Sequence, residues 1–248
     1  MPRNAPQFPP PPPPASGPEL VAHRGAPRER PENTLAAFAV ALDHRAGGIE
    51  LDVHATRDGV VIVHHDPVPH GVHPDGRAER RPIAQLRYVE LSTLRIGGEA
   101  IPTLRDVLSL VGDRAVVYVE IKGDGIEGAV ADVIRASDAR CAIHSFDHPT
   151  IGRARVVAPE LPRGLLFDKG DTDTMMRAMD AYDARDLWPR FSLIDAQLIE
   201  AAHAAGKRVI GWTVDDAQRA RELAKLGIDA LCTDDVPLIR DALRPRGR

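Results

Sequence analysis

AVVYVEIKGDGIEGAVADVIRA, residues 115–136, is a strand-like run followed by a helical pattern. Residues 115–121 are rich in β-branched and apolar side chains, whereas residues 126–136 place apolar side chains at helical spacing. Short apolar runs and helical patterns alternate in this way along most of the chain. Repeated strand–helix units predict a parallel sheet with helices outside it, so the expected fold class is α/β.

About eight strand–helix units follow residue 19, which matches a closed (β/α)₈ barrel of the TIM type better than an open sheet. A dinucleotide-binding sheet would carry Gly-x-Gly-x-x-Gly after its first strand, and the chain lacks that motif there. It also lacks the phosphate loop Gly-x-x-x-x-Gly-Lys-Ser/Thr. We therefore predict a single barrel domain over residues 19–248, with the open sheet as the minor alternative.

Individual elements can be placed from these patterns. Strands are predicted at 20–23, 48–53, 60–64, 115–121, 141–146, 164–167, 191–194, 208–214 and 229–232. Helices are predicted at 34–43, 103–111, 126–136, 151–157, 174–182, 196–205 and 217–226. Asp58-Gly59 predicts a hairpin turn before the strand at 60–64, Thr103 is the expected N-cap of its helix, and residues 70–81 should form a long loop.

The N-terminal residues 1–18 are proline-rich and include six consecutive prolines at 9–14. They predict a disordered polyproline-II tail outside the core, because they hold too few apolar side chains to bury. The segment has no apolar stretch typical of a secretory signal, and the chain has no run of the roughly 20 apolar residues that span a bilayer. Two distant cysteines, Cys141 and Cys232, favour reduced thiols and a cytoplasmic location.

Composition narrows the possible partners. The chain of 248 residues is 43% hydrophobic and 27% charged, as in a soluble globular domain. A net charge of −4 argues against nucleic-acid binding, and 4% aromatic residues provide few platforms for stacked bases. The expected partner is a small-molecule substrate, with no nucleic acid and no stable membrane insertion; the sequence sets no oligomeric state.

Titratable side chains crowd the predicted C-terminal ends of the strands, where barrel enzymes place their active sites. They are His23, Arg24, Glu50, Asp52, His64, His65, Asp66, Glu120, Lys122, His144 and Lys169, accompanied by Ser145 and Trp212. This distribution predicts that the active site lies at one end of the barrel.

Glu50 and Asp52 are two residues apart on a strand, so their side chains point to the same face. Neighbouring carboxylates repel unless a cation lies between them, and Glu120 at another strand end is a candidate third ligand. An all-oxygen set favours Mg²⁺ or Ca²⁺ over zinc. The alternative is that Glu50 and Asp52 cap loops or pair with arginines.

His23 and His65 lie at strand ends near the Glu50/Asp52 pair, and an imidazole titrates close to neutral pH. A cation with an acid and a base is the set that hydrolysis of a phosphate ester requires. Lys122 and Lys169 are placed where an ammonium group would meet a phosphate, although chance placement accounts for Lys169 equally well.

Ten short motifs carry a family resemblance. The early ones are His23-Arg24-Gly25, Pro31-Glu32-Asn33-Thr34, Glu50-Leu51-Asp52-Val53, Asp58-Gly59 and His65-Asp66. The later ones are Ile101-Pro102-Thr103-Leu104, Glu120-Ile121-Lys122, Ser145-Phe146-Asp147, Trp212-Thr213-Val214 and Thr233-Asp234. Together, over about residues 21–238, they resemble the signature of glycerophosphodiester phosphodiesterases.

That resemblance implies a (β/α)₈ barrel that hydrolyses glycerophosphodiesters to an alcohol and sn-glycerol 3-phosphate. It implies that His23 and His65 are the acid–base pair and that Glu50, Asp52 and Glu120 hold a divalent cation, Mg²⁺ or Ca²⁺. The family's chemistry is thought to use the glycerol 2-hydroxyl as an internal nucleophile, which gains from proximity within one bound molecule.

The same resemblance assigns four residues to substrate binding. Arg24 and Lys122 would contact the phosphate, Asn33 would order the first loop or touch the substrate, and Trp212 would lie against the substrate. The chain departs from the family after His65, where Leu-x-Arg-Thr is common and residues 68–71 read VPHG. The contribution of this loop to substrate choice is therefore open.

His64 and His65 form a doublet of which one imidazole can face the barrel mouth, and the resemblance favours His65. Two other functions remain as alternatives. One is a related barrel phosphodiesterase that acts on lysophospholipid or phosphoinositide. The other is a non-catalytic barrel that binds a partner, recruited through its proline-rich tail.

Overall fold

The computed structural model describes residues 17–244, so the predicted tail lies outside the described residues except for positions 17 and 18. The strands are β1 Glu19–His23, β2 Gly48–Ala55, β3 Val61–Val63, β4 Arg95–Ile96, β5 Glu99–Ala100, β6 Val116–Ile121, β7 Arg140–Ser145, β8 Arg163–Phe167, β9 Asp186–Pro189, β10 Arg208–Gly211 and β11 Ala230–Thr233. The α-helices are α1 Leu35–Asp43, α2 Tyr88–Leu91, α3 Leu104–Val111, α4 Glu127–Arg135, α5 His148–Val157, α6 Thr172–Ala181, α7 Ala196–Ala204, α8 Ala217–Leu226 and α9 Val236–Leu243.

Eight parallel strands close into a barrel. They pair in the order β1, β2, β6, β7, β8, β9, β10 and β11, and β11 pairs with β1 to complete the ring. At least one helix follows each barrel strand, as right-handed crossovers between parallel strands require. The prediction of a (β/α)₈ TIM-type barrel is confirmed.

Alternation along each strand sends one set of side chains into the barrel and the other toward the helices. In β2, Ile49, Leu51 and Val53 join the core between the sheet and the helices, whereas Glu50 and Asp52 point inward. The interior is filled below the mouth by Val21, Tyr118, Ala142, Leu166, Trp188, Ile210, Ala230 and Cys232. Two carboxylates can therefore face the barrel mouth from one strand without disturbing the outer core.

Predicted turns and caps position the elements near the mouth. β3 pairs antiparallel with the end of β2 after the Asp58-Gly59 turn, as expected from the hairpin signal. Thr103 caps α3: its hydroxyl accepts a hydrogen bond from the Asp106 backbone N–H at 3.1 Å. The Asp106 carboxylate accepts one from the Thr103 backbone N–H at 3.0 Å, which completes a capping box.

β3 and the segment that joins it to α3 form a small separate cluster beside the barrel. Its core is Ile62, Ile83, Leu86, Leu91, Leu94 and Ile101, all buried. Residues 70–81 are irregular apart from isolated bridges, in agreement with the predicted loop. The short elements α2, β4 and β5 were not predicted, since four and two residues are too few to show a periodicity.

The predicted strand at 191–194 is wrong. The barrel strand is β9, Asp186–Pro189, and Phe191–Leu193 forms a 3₁₀ helix. An aspartate and a proline made residues 186–189 look unlike a strand. Asp186 is nevertheless buried beside two arginines, and Pro189 is the last residue of its strand, where its carbonyl still accepts a hydrogen bond from Trp212.

Candidate active site

A cavity of about 140 Å³ lies at the C-terminal mouth of the barrel. It is lined by His23, Arg24, Glu50, His65, Glu120, Lys122, His144, Phe146, Leu166, Trp188, Trp212 and Cys232. These residues come from strand ends around the ring, where the parallel direction of the strands brings them together. Seven of the nine residues predicted for the site line this cavity, and Asp52 and Asn33 lie buried beneath it.

The turn after β1 is folded around the carboxylates of β2. Arg24 adopts a left-handed backbone conformation with φ 55°, and its backbone N–H donates to Oε2 of Glu50 at 3.1 Å. Its guanidinium Nε lies 3.2 Å from Oδ2 of Asp52, and its Nη1 donates to Glu32 at 3.0 Å. The side chain of Arg24 is thus held at the cavity wall by opposite charges.

Asp52 is fully buried at the centre of this arrangement. Its Oδ2 accepts a hydrogen bond from the Asn33 side-chain amide at 2.9 Å, and its Oδ1 lies 3.4 Å from Nζ of Lys122. Burial alone would raise the pKa of Asp52, but the charges of Arg24 and Lys122 outweigh burial and lower it. Asp52 is therefore a carboxylate that positions both cations predicted to contact a phosphate.

Asn33 is 2% exposed and does not line the cavity. Its backbone N–H donates to the carbonyl of Arg24 at 3.0 Å, and its side chain holds Asp52. Of the two roles that the resemblance implies, the geometry matches ordering of the first loop.

Glu120 comes from β6 and lies opposite Asp52 in the strand register. It is 6% exposed, and its Oε1 accepts a hydrogen bond from Lys122 at 3.0 Å. Burial and the charge of Asp52 raise the pKa of Glu120 to about 7. Loss of hydration disfavours the charged form of this buried carboxyl, and the negative charge of Asp52 disfavours it further.

His144 from β7 is a feature of the site to which the sequence assigned no role. It is the register neighbour of Glu120 and is almost fully buried. Its Nε2 lies 3.8 Å from Oε1 of Glu50, and its ring stacks on Trp188. Its position at a strand end was visible in the sequence, but a single histidine among ten carries little signal before the strands are brought together.

Each predicted catalytic histidine contacts a carboxylate through Nδ1. His23 lies 2.6 Å from Oδ1 of Asp234, which follows β11, and His65 lies 2.6 Å from Oδ1 of its neighbour Asp66. Burial lowers the pKa of His23, but the hydrogen bond to Asp234 and the charge of Glu50 outweigh it and raise the pKa. A carboxylate on Nδ1 fixes the ring orientation and leaves Nε2 for chemistry.

Of the two neighbouring histidines His64 and His65, it is His65 that faces the barrel mouth, as the resemblance favoured. His65 lines the cavity, whereas His64 is buried and its Nε2 accepts a hydrogen bond from the His70 backbone N–H at 3.1 Å. Burial, with the nearby rings of His70 and His54, lowers the pKa of His64 to about 4. A neutral His64 therefore anchors the loop that follows His65.

Aromatic side chains form the remaining wall. Trp212 donates from its indole N–H to the carbonyl of Trp188 at 2.9 Å and packs edge-on against Phe146 with ring centroids 5.2 Å apart. Phe146 is 42% exposed and extends this wall toward solvent. Lys169 is exposed and does not line the cavity, which agrees with chance placement.

The residues present fit a divalent cation. Within residues 17–244, Glu50, Glu120 and His144 are the one group that offers three metal-ligand atoms within 4.8 Å of one another. Oδ1 of Asp52 is buried without a hydrogen bond. Carboxylate oxygens are the donors that divalent cations such as Mg²⁺ and Ca²⁺ prefer, and an imidazole nitrogen adds a ligand common for transition metals.

The fold and the site together define a (β/α)₈-barrel enzyme with histidine–carboxylate pairs at its mouth. The chain belongs to the glycerophosphoryl diester phosphodiesterase family, whose model matches residues 23–238. A glycerophosphodiester phosphodiesterase of Caldanaerobacter subterraneus subsp. tengcongensis is 32% identical, with 92% of this chain and 98% of the relative covered.

Solved structures show the same fold. A phosphodiesterase of Oleispira antarctica, in complex with the product sn-glycerol-3-phosphate, is 26% identical with a TM-score of 0.81, covering 92% of this chain and 97% of that one. A glycerophosphodiester phosphodiesterase of Agrobacterium tumefaciens is 27% identical with a TM-score of 0.78, covering 90% and 99% respectively. In the described part of this chain, no helix is long and apolar enough to cross a membrane.

Proposed function

We propose that this protein hydrolyses glycerophosphodiesters to an alcohol and sn-glycerol 3-phosphate, with a divalent cation and a pair of histidines. The observation that carries the proposal is the meeting of both histidine–carboxylate pairs with Glu50 and Glu120 around one cavity. Membership of the family and the similarity to a product-bound phosphodiesterase support this substrate class.

His23 and His65 act as the acid–base pair. One Nε2 accepts the proton of the attacking glycerol 2-hydroxyl, and the other donates a proton to the leaving alkoxide. Water then opens the resulting cyclic phosphate to sn-glycerol 3-phosphate, with the two histidines exchanging their roles. Asp234 and Asp66 hold the two rings through Nδ1, so that each ring keeps its orientation during proton transfer. Because both rings line the same cavity, one bound phosphodiester can contact both.

Glu50, Asp52 and Glu120 hold the cation, which we expect to be of the Mg²⁺ or Ca²⁺ class because carboxylate oxygens dominate the donor set. When bound, the cation neutralises charge on a non-bridging phosphate oxygen. The buried Oδ1 of Asp52 makes no hydrogen bond and has Lys122 as its charged neighbour at 3.4 Å, which supports its assignment as a ligand.

The remaining residues position the substrate. Arg24 and Lys122 contact the phosphate as fixed positive charges, and Asp52 orients both of them. Asn33 contributes by ordering the turn after β1. Trp212 provides an apolar face for the substrate at the cavity wall.

Residues 19–248 form a single catalytic domain in this proposal, preceded by a non-catalytic tail. The substrate is a small molecule and needs no nucleic-acid partner. Cys141 and Cys232 are both buried and free, which supports a reducing, cytoplasmic compartment.

A direct test is turnover of glycerophosphocholine with and without EDTA, followed by addition of Mg²⁺ or Ca²⁺ in excess. We expect release of sn-glycerol 3-phosphate that EDTA abolishes and the added cation restores. A micellar lysophospholipid assayed in parallel should be turned over more slowly than the soluble diester.

An equal rate of turnover with and without EDTA would show that the reaction needs no divalent cation. A faster rate on the micellar lipid would favour the related lipid phosphodiesterase. The absence of hydrolysis over several diesters with each common divalent cation would favour a non-catalytic binding protein.

A further inference from the structure

His144 is a buried imidazole that faces the cavity and has no part in the acid–base steps. Its ring lies flat on the indole of Trp188, with centroids 4.4 Å apart and 10° between the planes. Its Nδ1 is buried and has no hydrogen-bond partner among the described residues. The carboxylate of Glu50 lies on the other side of the ring, 3.8 Å from Nε2, so Nε2 is the nitrogen that the geometry offers to a ligand.

The neighbours of His144 are spaced as ligands of one ion rather than as hydrogen-bond partners. Nε2 lies 3.8 Å from Oε1 of Glu50, beyond hydrogen-bond distance. Two ligands that each lie about 2.0–2.2 Å from one metal ion are separated by roughly 3–4 Å. Glu120, the register neighbour of His144, brings its own ligand atom within 4.8 Å of both.

Asp52 faces a different environment. Its contacts are the side chains of Asn33, Arg24 and Lys122, two of which are cations. The charged neighbour of His144 is instead a carboxylate, Glu50. The cluster of Glu50, Glu120 and His144 is thus the part of the site where three ligand atoms lie within 4.8 Å of one another.

We propose that His144 supplies a nitrogen ligand to the cation held by Glu50 and Glu120. The inference rests on the proposed metal requirement and refines it, because the donor set is then not all oxygen. Imidazole suits Co²⁺ and Zn²⁺, whereas Mg²⁺ and Ca²⁺ take oxygen ligands. The site therefore accepts alkaline-earth ions through its carboxylates and binds nitrogen-preferring transition metals more tightly through His144.

The test is titration of the metal-free protein with Co²⁺, followed by its visible absorption, and with Mg²⁺, followed by thermal unfolding. We expect His144→Gln to weaken Co²⁺ binding at least ~10-fold while Mg²⁺ binding changes less than ~3-fold. The matched control is His203→Gln, which removes an exposed imidazole that also lies beside a carboxylate, Asp229. The control should bind both metals as the unmodified protein does.

Equal Co²⁺ affinity in His144→Gln and in the unmodified protein would overturn the inference, as would an equal loss of Co²⁺ and Mg²⁺ affinity. Circular dichroism of the metal-free variants establishes that both are folded. A measurement on the unmodified protein avoids that question: the Co²⁺ form should show a paramagnetically shifted, exchangeable histidine N–H resonance, and its absence contradicts nitrogen ligation.

Failure of the His144 inference can be distinguished from failure of the proposed function. If EDTA leaves turnover intact, the metal role itself fails. If turnover needs a divalent cation but His144→Gln leaves the Co²⁺ affinity unchanged, the metal requirement stands and only the assignment of His144 as a ligand fails.

Discussion

His23 and His65 show how much a residue's role depends on its contacts. Both were identifiable from strand ends and short motifs, but the carboxylates that hold them come from different places. Asp66 is the next residue along the chain from His65, whereas Asp234 lies 211 residues from His23. Sequence spacing could reveal the first pair, and only closure of the barrel between β11 and β1 creates the second.

Replacement of either histidine of the proposed acid–base pair should reduce turnover sharply. We expect His23→Ala and His65→Ala each to lower kcat on glycerophosphocholine by at least ~10², because a general acid or base is lost. Steady-state kinetics measures the effect, and His203→Ala, at an exposed histidine distant in sequence, is the control. Near-normal turnover in either cavity variant would reassign the acid–base pair.

The connection between β1 and α1 is the element whose shape the site needs most. Gly25 has φ +92°, and a Cβ placed there would lie 2.8 Å from the backbone carbon and the Cβ of Ala37 in α1. The close approach lets α1 pack against the turn that carries His23 and Arg24. The existence of β1 and α1 was predictable from periodicity. The contact between Gly25 and Ala37 was not, because periodicity describes residues within one element and not the packing of a turn against a helix.

Gly25→Ala should destabilise the fold more than Gly59→Ala does. Both glycines have positive φ, but a Cβ on Gly59, φ +81°, would meet nothing within 4 Å. The left-handed backbone costs about 1 kcal/mol at either position, and the collision with Ala37 should bring the Gly25→Ala cost to about 3 kcal/mol. Urea unfolding followed by circular dichroism compares the two variants. Equal decreases in the free energy of unfolding would show that α1 can move away from the added Cβ at no energetic cost.

At the scale of the whole molecule, the barrel is closed at its lower end by a charged network. Arg208 of β10 donates to Oε2 of Glu19 at 2.7 Å and to the Tyr118 hydroxyl at 3.1 Å, and lies 3.7 Å from Asp186. Tyr118 donates to Glu19 at 3.1 Å. Four strands therefore meet through polar groups at the end opposite the site. Because Arg208 lies beside Asp186, this aspartate can be buried in its strand with its charge compensated.

Arg208→Met should reduce the free energy of unfolding by about 3 kcal/mol, since it takes a cation away from the buried Asp186 and the half-buried Glu19. Tyr118→Phe, which removes hydrogen bonds but no charge, should cost about 1 kcal/mol. Chemical denaturation of both variants under the same conditions measures the difference. If Arg208→Met loses no more stability than Tyr118→Phe, the network does not support the barrel.

The sequence by itself determined the alternation of strands and helices, and with it the barrel and the end at which the site lies. It also determined which carboxylates share a face, because side chains in a strand alternate with a period of two. These properties are local, so they can be read from neighbouring residues. The misplaced strand near 191–194 shows the limit: apolar residues alone do not reveal a strand whose buried aspartate is paired with the adjacent Arg185 and the distant Arg208.

Only the tertiary structure decided which side chains meet. It paired His23 with Asp234, placed Asn33 beneath the cavity and brought His144 beside Glu50 and Glu120. The physical reason is that ring closure and strand register set distances between residues far apart in the chain, and neither composition nor periodicity encodes those distances in a form that can be read locally.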